Sequence, residues 1–415
     1  MTVLILHRGS LAANPYERWL DGYPGHAVLL ASQEQLAVHR ERLPAAGGRF
    51  CHVEAVPDYD SGPQVERRAA ELVERFDVRH ILAVQERDIV RSAALRERYG
   101  LPGQHPDTVG VYRDKWAMKQ AARAAGIPVA RHALLTAPAD LADFVADSGL
   151  PVVVKPRAGA ASIGLAILHT EEQLSAYLAE ADLGPGLDGE PGWLAEAFVP
   201  GAMCHIDGTV LDGRIVSLWP SQYRYALAAF REDRTGRKDV ALDPADPLTT
   251  RLIDFGERVL AALGGPEHFA FHIEVFVTPD GELVLCEAAC RAGGAGIRDV
   301  HRVLFGFDPA EAPIRRQLGL GKDEPAAERL APRGLAGQLV LMKRPGTVHA
   351  VPAAAELFPW VVKHTFFAQP GEQLGEAEHS ADFLAAFVVA APDRDTLDDR
   401  LGTLDAWCAS GFDIR

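Results

Sequence analysis

The chain has 415 residues, 48% hydrophobic and 24% charged, a globular composition long enough for two to three domains. Its 42 basic and 57 acidic residues give a net charge of -15, which argues against a nucleic-acid or anionic-membrane partner and requires any anionic ligand to be held by local groups. The longest uncharged apolar run, Phe383 to Ala391, is too short for a membrane span, and five scattered cysteines without a CxxC pair read as reduced thiols of a cytoplasmic protein.

The first segment, Met1-Thr-Val-Leu-Ile-Leu-His7-Arg8, reads as a strand rather than a signal peptide. Apolar runs at Val3 to His7, His26 to Ala31, Phe50 to Val56 and His80 to Gln85, with helical segments between them, predict a parallel α/β unit. Ser32-Gln-Glu-Gln35 is a capping box for the second helix, and Gly100 stops a helix that ends at Tyr99. Leu101-Pro-Gly-Gln-His-Pro106 serves as a boundary, and no GxGxxG follows the first strand to support a dinucleotide site.

A second region opens with an amphipathic helix, Tyr112 to Ala125, closed by Gly126-Ile-Pro128. Strand Arg131 to Thr136, helix Pro138 to Ser148, strand Val152 to Lys155, a glycine-containing loop and strand Leu165 to His169 follow. Next come helix Glu171 to Ala181, a Gly/Pro-rich loop over 184–192, strand Trp193 to Val199, and the long helix Leu248 to Leu263 before a hairpin. A charged Ala/Pro-rich connector, Arg315 to Pro332, leads to strands Gln338 to Met342 and Phe383 to Val389 and a terminal helix from near Asp395.

The hairpin carries the chemistry. It reads Phe271-His-Ile-Glu274-Val-Phe-Val-Thr-Pro-Asp-Gly281-Glu-Leu-Val-Leu-Cys-Glu287, followed by Ala-Ala-Cys-Arg291. Pro279-Asp280-Gly281 is turn chemistry, and pairing Thr278 with Gly281 sets Glu274 opposite Leu285, with Glu287 a diagonal neighbour on the same face. A bulge at Gly281 would break that parity. Oxygen-only ligands with a basic group behind them suit Mg2+ holding a nucleoside triphosphate; a solvated hairpin face is the bland alternative.

Upstream, Arg113-Asp114-Lys115 opens a helix, and Lys155 closes the buried-looking strand Pro151-Val-Val-Val-Lys-Pro156. A phosphate matches such an ammonium well, although a lone lysine at a strand end is commonly just solvated. In Arg157-Ala-Gly159-Ala-Ala-Ser162-Ile-Gly164 the glycines let backbone N–H groups approach phosphate oxygens, and Ser162 adds a hydroxyl. Leu194-Ala-Glu196-Ala-Phe-Val199-Pro-Gly201 places one acid in an apolar strand. Glu196 there suits the exocyclic amine of adenine, with the backbone of Ala197 and Val199 on the ring edge; an edge-strand acid facing water is the other reading.

In this order, Lys115, Lys155, the small-residue loop, Glu196, then Glu274, Glu287 and Arg291, the set resembles the ATP-grasp superfamily over roughly Thr108 to Asp308. The Glu287-Ala-Ala-Cys-Arg291-Ala-Gly-Gly ending and His272 two residues before Glu274 are most similar to carboxylate-amine ligases of the L-amino-acid ligase type, relatives of biotin carboxylase. The resemblance implies an α/β and α+β fold: an N-terminal parallel α/β domain at 1–106, an ATP-grasp domain of two α+β subdomains at 107–314 with a lid subdomain at about 131–200, and a C-terminal α+β domain at 315–415. The C-terminal region, with Gly371-Glu-Gln and Phe387-Val-Val-Ala, resembles the closing domain of the same ligases.

The resemblance also implies roles. ATP and Mg2+, with Mn2+ as an acceptable substitute, are the implied cofactors. Lys115 and Lys155 would hold the phosphates, the loop Gly159, Ser162, Gly164 would be a flexible lid, and Glu196, Ala197 and Val199 would meet adenine. Glu274 and Glu287 would bind magnesium, while Arg291, with His272 nearby, would steady the acyl phosphate and the tetrahedral species. Where many members carry a ribose-binding acid after Pro-Gly, this chain has Ala202, Met203 and Cys204, leaving His205 or Asp207 to substitute; Ala289 stands where biotin carboxylase has asparagine.

The implied reaction is attack of a carboxylate on the γ-phosphate, then displacement of the acyl phosphate by an amine, without a covalent enzyme nucleophile. The substrates would be a small carboxylate, such as an amino acid, and an amine. A homodimer is compatible with the sequence. Trp219-Pro-Ser-Gln-Tyr223-Arg224-Tyr225 and Phe230-Arg231 are candidate pocket walls and carboxylate anchors. A biotin-carboxylase-like bicarbonate-activating enzyme and a non-catalytic ATP-binding module are the alternatives.

Overall fold

The computed structural model describes residues 1–60, 63–159, 162–181, 183, 192–226, 235–321 and 329–415. Near its N-terminus four parallel strands lie in the order Phe50–Val56, His26–Ser32, Thr2–His7, Val78–Leu82. Val3, Leu4, Ile5 and Leu6 are all buried, as expected for a parallel sheet covered on both faces. The Ser32 hydroxyl accepts from the Gln35 N–H at 3.2 Å, and Gly100, at φ 61°, ends helix Glu86–Tyr99 in the left-handed conformation. The fourth strand stops at Leu82, earlier than its apolar run suggests. Glu86 can therefore open the next helix at the carboxyl edge of the sheet, where ligands of open α/β sheets bind.

The expected helix from Tyr112 to Ala125 is two helices, Pro106–Arg113 and Lys115–Ala124. Asp114 between them is extended (φ -95°, ψ 104°) and caps the second helix by accepting from the N–H groups of Trp116 and Ala117. Such a cap contributes about 1 kcal/mol. A small antiparallel sheet follows, ordered His132–Leu135, Trp193–Ala197, Val152–Pro156, Ala166–Leu168. Helices Pro138–Ser148 and Glu171–Glu180 cover it through Leu141, Phe144 and Leu174. Most of the Gly/Pro-rich loop, 184–191, lies outside the described residues.

The largest sheet has eight strands in the order Leu283–Ala289, Phe269–Val277, Ala202–Leu211, Arg214–Tyr223, Arg237–Ala241, Leu335–Met342, Phe383–Ala391, Val361–Phe366. Strands from both sides of the connector share it; residues 322–328 of that connector lie outside the described residues. Helix Pro247–Leu263 packs on Ile206, Phe271 and Ile273 at one end, and helix Arg394–Gly411 on Leu339 and Val389 at the other. Burying each of these large side chains contributes about 1.5–3 kcal/mol, which makes the sheet a stiff platform for what it carries. Among the described residues no helix is long and apolar enough to cross a membrane, and all five cysteines are free.

Candidate active site

Glu274 and Glu287 are directly opposite each other in the hairpin, not diagonal. Thr278 pairs with Glu282 around a three-residue turn, whose Gly281 has φ 85°, and this moves the register by one from the expected pairing. A second one-residue shift between Val275 and Glu274 restores the parity and sets the two acids face to face. Glu274 accepts from the Tyr223 hydroxyl at 3.3 Å and has His272 Nε2 at 3.5 Å. Glu287 has Lys115 Nζ at 3.2 Å. Burial opposes ionisation of Glu287, but Lys115 and then Lys155 outweigh it and bring the carboxyl down to about 2. Facing carboxylates repel unless a cation lies between them, so the pair fits a hard divalent ion.

The lysines meet these acids because helix Lys115–Ala124 packs against the hairpin. Met118 sulfur accepts from Ala288 N–H at 3.2 Å, and Lys119 donates to the Cys286 carbonyl at 3.1 Å. Arg157, just past Lys155, grips both oxygens of Asp114 at 2.7 and 2.6 Å, and its carbonyl accepts from Lys115 N–H at 3.1 Å. The cap of the helix is thus also the anchor of the strand end, and Lys115 and Lys155 converge. Gly201 lets the chain after Glu196 pass close to the hairpin, since a Cβ there would lie 2.2 Å from the Val277 carbonyl oxygen.

Glu196 is buried with two ammonium groups against its Oε1, Lys155 at 2.9 Å and Lys119 at 3.2 Å. Burial opposes its ionisation, and Lys119 and then Lys155 override that, holding the carboxyl below its ordinary range. Burial likewise opposes the charge on Lys155, but Glu196 lifts it above the usual lysine range; for Lys119 burial wins and lowers it. Two ammoniums share one carboxylate, so the cluster carries surplus positive charge. Lys119 escaped the sequence reading, although its place one turn after Lys115 puts both on one helix face. Ala197 N–H is engaged with the Arg131 carbonyl at 2.8 Å, and Val199 lies just beyond the strand end. Gly159 accepts from Lys115 Nζ at 2.7 Å, Ser162 and Gly164 both have positive φ, and residues 160–161 of that loop lie outside the described residues.

Arg291 donates through Nε to Glu86 Oε2 at 2.6 Å, and Arg113 donates to the other oxygen at 2.6 Å. Burial would raise the Glu86 carboxyl, but Arg291 and then Arg113 hold it below its ordinary value. Glu86 is a second residue without a local sequence signal, because its partners lie 27 and 205 positions away.

The expectation that His205 or Asp207 meets a ribose fails on geometry. His205 is 1% exposed, and its ring nitrogens are taken by Asp207 and by Asp239, the latter at 2.9 Å. Asp207 also accepts from His272 Nδ1 at 2.9 Å, and Gln338 links Asp239, at 2.8 Å, to the Gly296 N–H, at 2.7 Å. The result is a buried chain from Glu274 through His272, Asp207, His205, Asp239 and Gln338. Burial opposes the charge on both histidines, yet Asp207 brings His272 up to about 9, and Asp239 and then Asp207 lift His205 well above its usual value. Of two other candidates, Trp219 is buried and donates to the Leu242 carbonyl at 3.0 Å, and Arg224 pairs with Asp398 at 2.9 Å. Phe230 and Arg231 lie outside the described residues.

No family model matches the chain. The L-arginine-specific L-amino acid ligase of Bacillus subtilis is 26% identical, over 63% of this chain and 63% of its own. The D-alanine--D-alanine ligase of Laribacter hongkongensis is 32% identical over 41% of this chain and 54% of its own. The solved structure of the L-amino acid ligase from Bacillus licheniformis superimposes with a TM-score of 0.75, covering 98% of this chain and 97% of that one at 16% identity. In sequence and in fold the chain is similar to ATP-grasp ligases. Against those two sequence relatives the chain spans less than two thirds of their length. Its α/β and α+β architecture is the ATP-grasp fold, with the cation cluster on the small sheet and neighbouring helix, and the paired acids at the edge of the large one.

Proposed function

We propose that this chain is an ADP-forming carboxylate-amine ligase that joins an amino acid or another small carboxylic acid to an amine or second amino acid through an acyl phosphate. One observation carries the reading: Glu274 and Glu287 stand face to face with Lys115 at 3.2 Å from Glu287. ATP is the nucleotide, with adenine against Glu196, Ala197 and Val199. A carboxylate has about four acceptor sites, so Glu196 can serve the adenine amine beside its lysines. Glu274 and Glu287 would hold Mg2+, or Mn2+ in its place, which when bound neutralises charge on the phosphates.

The chain's own residues do the rest. Lys115, Lys119 and Lys155 exchange present partners for phosphate oxygens and spread the charge of the transferring phosphoryl group. Gly159, already bonded to Lys115, keeps the loop with Ser162 and Gly164 beside that group. Arg291, oriented by Glu86, stabilises the acyl phosphate and the oxyanion formed on amine attack. No side chain acts as a covalent nucleophile.

The test is incubation of the full chain with MgATP and pools of amino acids, measuring ADP, phosphate and amide product. ADP release that depends on an amine and yields an amide is expected. Release that depends on bicarbonate, or tight ATP binding without turnover, would overturn the reading.

A further inference from the structure

Past the end of the hairpin a cavity of about 480 Å³ lies between helix Glu86–Tyr99, the start of strand Phe269–Val277 and helix Glu311–Gln317. Side chains alternate along the strand that carries Glu287. Glu287 thus faces the ammonium groups, whereas Cys290 joins Ile89 and Phe269 in the core on the other side. The cavity meets this second side and has Arg291 at its border.

Its lining includes Glu267, whose side chain is 84% exposed, and Arg291, already bonded to Glu86; its buried donors are short of acceptors. Arg96 is 5% exposed; its Nη atoms donate to the carbonyls of Ile81 at 2.6 Å and Gln104 at 3.1 Å and to Ser92 Oγ at 3.1 Å, all neutral, and its Nε has no acceptor. The side-chain nitrogen of Gln317 is buried without an acceptor as well, and that of Gln104 has only the Cys290 thiol beside it. A Cβ at Gly103 would stand 2.8 Å from Arg96 Nε and 2.9 Å from Gln317 Nε2, so these two nitrogens border one gap that glycine keeps open. The Cys290 thiol, next to Gln104 and pushed up to about 11 by burial, supplies no counter-charge. A buried guanidinium without an anion is costly, as is each unmet donor.

Pro313, Ile314, Ile89 and Phe269 give the cavity apolar walls. We propose that it is a second small-molecule site, separate from the nucleotide cleft, that takes a monocarboxylate with a short aliphatic body, its oxygens on Arg96, Gln104 and Gln317. One buried cation matches one carboxylate. A phosphate dianion would leave charge uncompensated and oxygens against hydrocarbon. This site does not depend on the ligase reading.

The test is calorimetric titration of the full chain, without nucleotide, with 4-methylpentanoate, 4-methylpentanamide and inorganic phosphate. The carboxylate is expected to bind one to one, with the amide weaker by about tenfold or more and phosphate weaker still. Because a carboxylate could also enter the ligase's acid site, the titration is repeated on Glu287→Ala, Gln317→Met and Gly103→Ala. Binding kept in the first and weakened about tenfold in the other two is the expected pattern. Carboxylate binding weaker than about 10 mM, equal binding in Gln317→Met and Gly103→Ala, loss in Glu287→Ala, or preference for phosphate would each overturn the proposal.

Discussion

Two charged networks lie side by side at one end of the eight-stranded sheet and differ in how they end. The histidine-acid chain starts at Glu274 and is closed at its far end: His272, Asp207, His205, Asp239 and Gln338 pass donors to acceptors until the last one meets the backbone of Gly296. The cation cluster stays open, with Lys119 and Lys155 sharing Glu196 while Glu274 and Glu287 face each other. A closed network fixes strands relative to one another; an open one keeps charge in reserve for something that arrives. Buried polar groups alone therefore do not mark a site, whereas like charges held against each other do.

The contrast breaks first at Glu287. Glu287→Ala is expected to lower amine-dependent ADP release by at least about a thousandfold while urea unfolding shifts by less than about 2 kcal/mol; retained turnover would remove the metal assignment. Asp207→Asn should do the reverse, costing about 3–5 kcal/mol in urea unfolding because two buried histidines lose their shared anion. A loss below about 1 kcal/mol would show that the closed chain is not structural.

Beside that chain His301 is neutral, with Ser217 Oγ at 2.8 Å from Nε2 and burial holding its pKa down at about 4. The unfolded chain takes up this proton near pH 6.5 and the folded one only near 4. Stability should therefore fall as pH drops from about 6.5 to 4, by roughly 3 kcal/mol at most. Unfolding of His301→Gln across that range should show a flatter dependence; an unchanged slope would assign the acid sensitivity elsewhere. The smallest effect is expected at Glu86→Gln, which loosens Arg291 and Arg113: kcat should fall about 10–100-fold with KM for ATP within a few-fold. A rise in KM alone would place Glu86 in nucleotide binding.

What could be read from the sequence was local. The apolar run Phe50–Val56, helix Pro138–Ser148 and the Ser32 cap carry their signals within a few residues and appear as expected. The two hairpin glutamates were recognisable as neighbours, but their direct opposition comes from a longer turn plus a bulge, and two one-residue offsets that add up to a full two-residue period leave no trace in the residue pattern. Asp114 was hidden inside an apparently continuous helix, since a cap and an interior acid look alike until Arg157 arrives from 43 positions away. His205 was misread because its partner Asp239 sits on a strand reached only through the sheet's order.

That order has a practical consequence for anyone trimming the protein. The strand Arg237–Ala241 is flanked on its far side by Leu335–Met342, which also brings Gln338 to Asp239. A version shortened at the connector would leave a raw hydrogen-bonding border in mid-sheet, prone to stick to its own copies, and would unplug the final link holding Asp239. The smallest stable unit that holds the paired acids therefore extends well past Arg291.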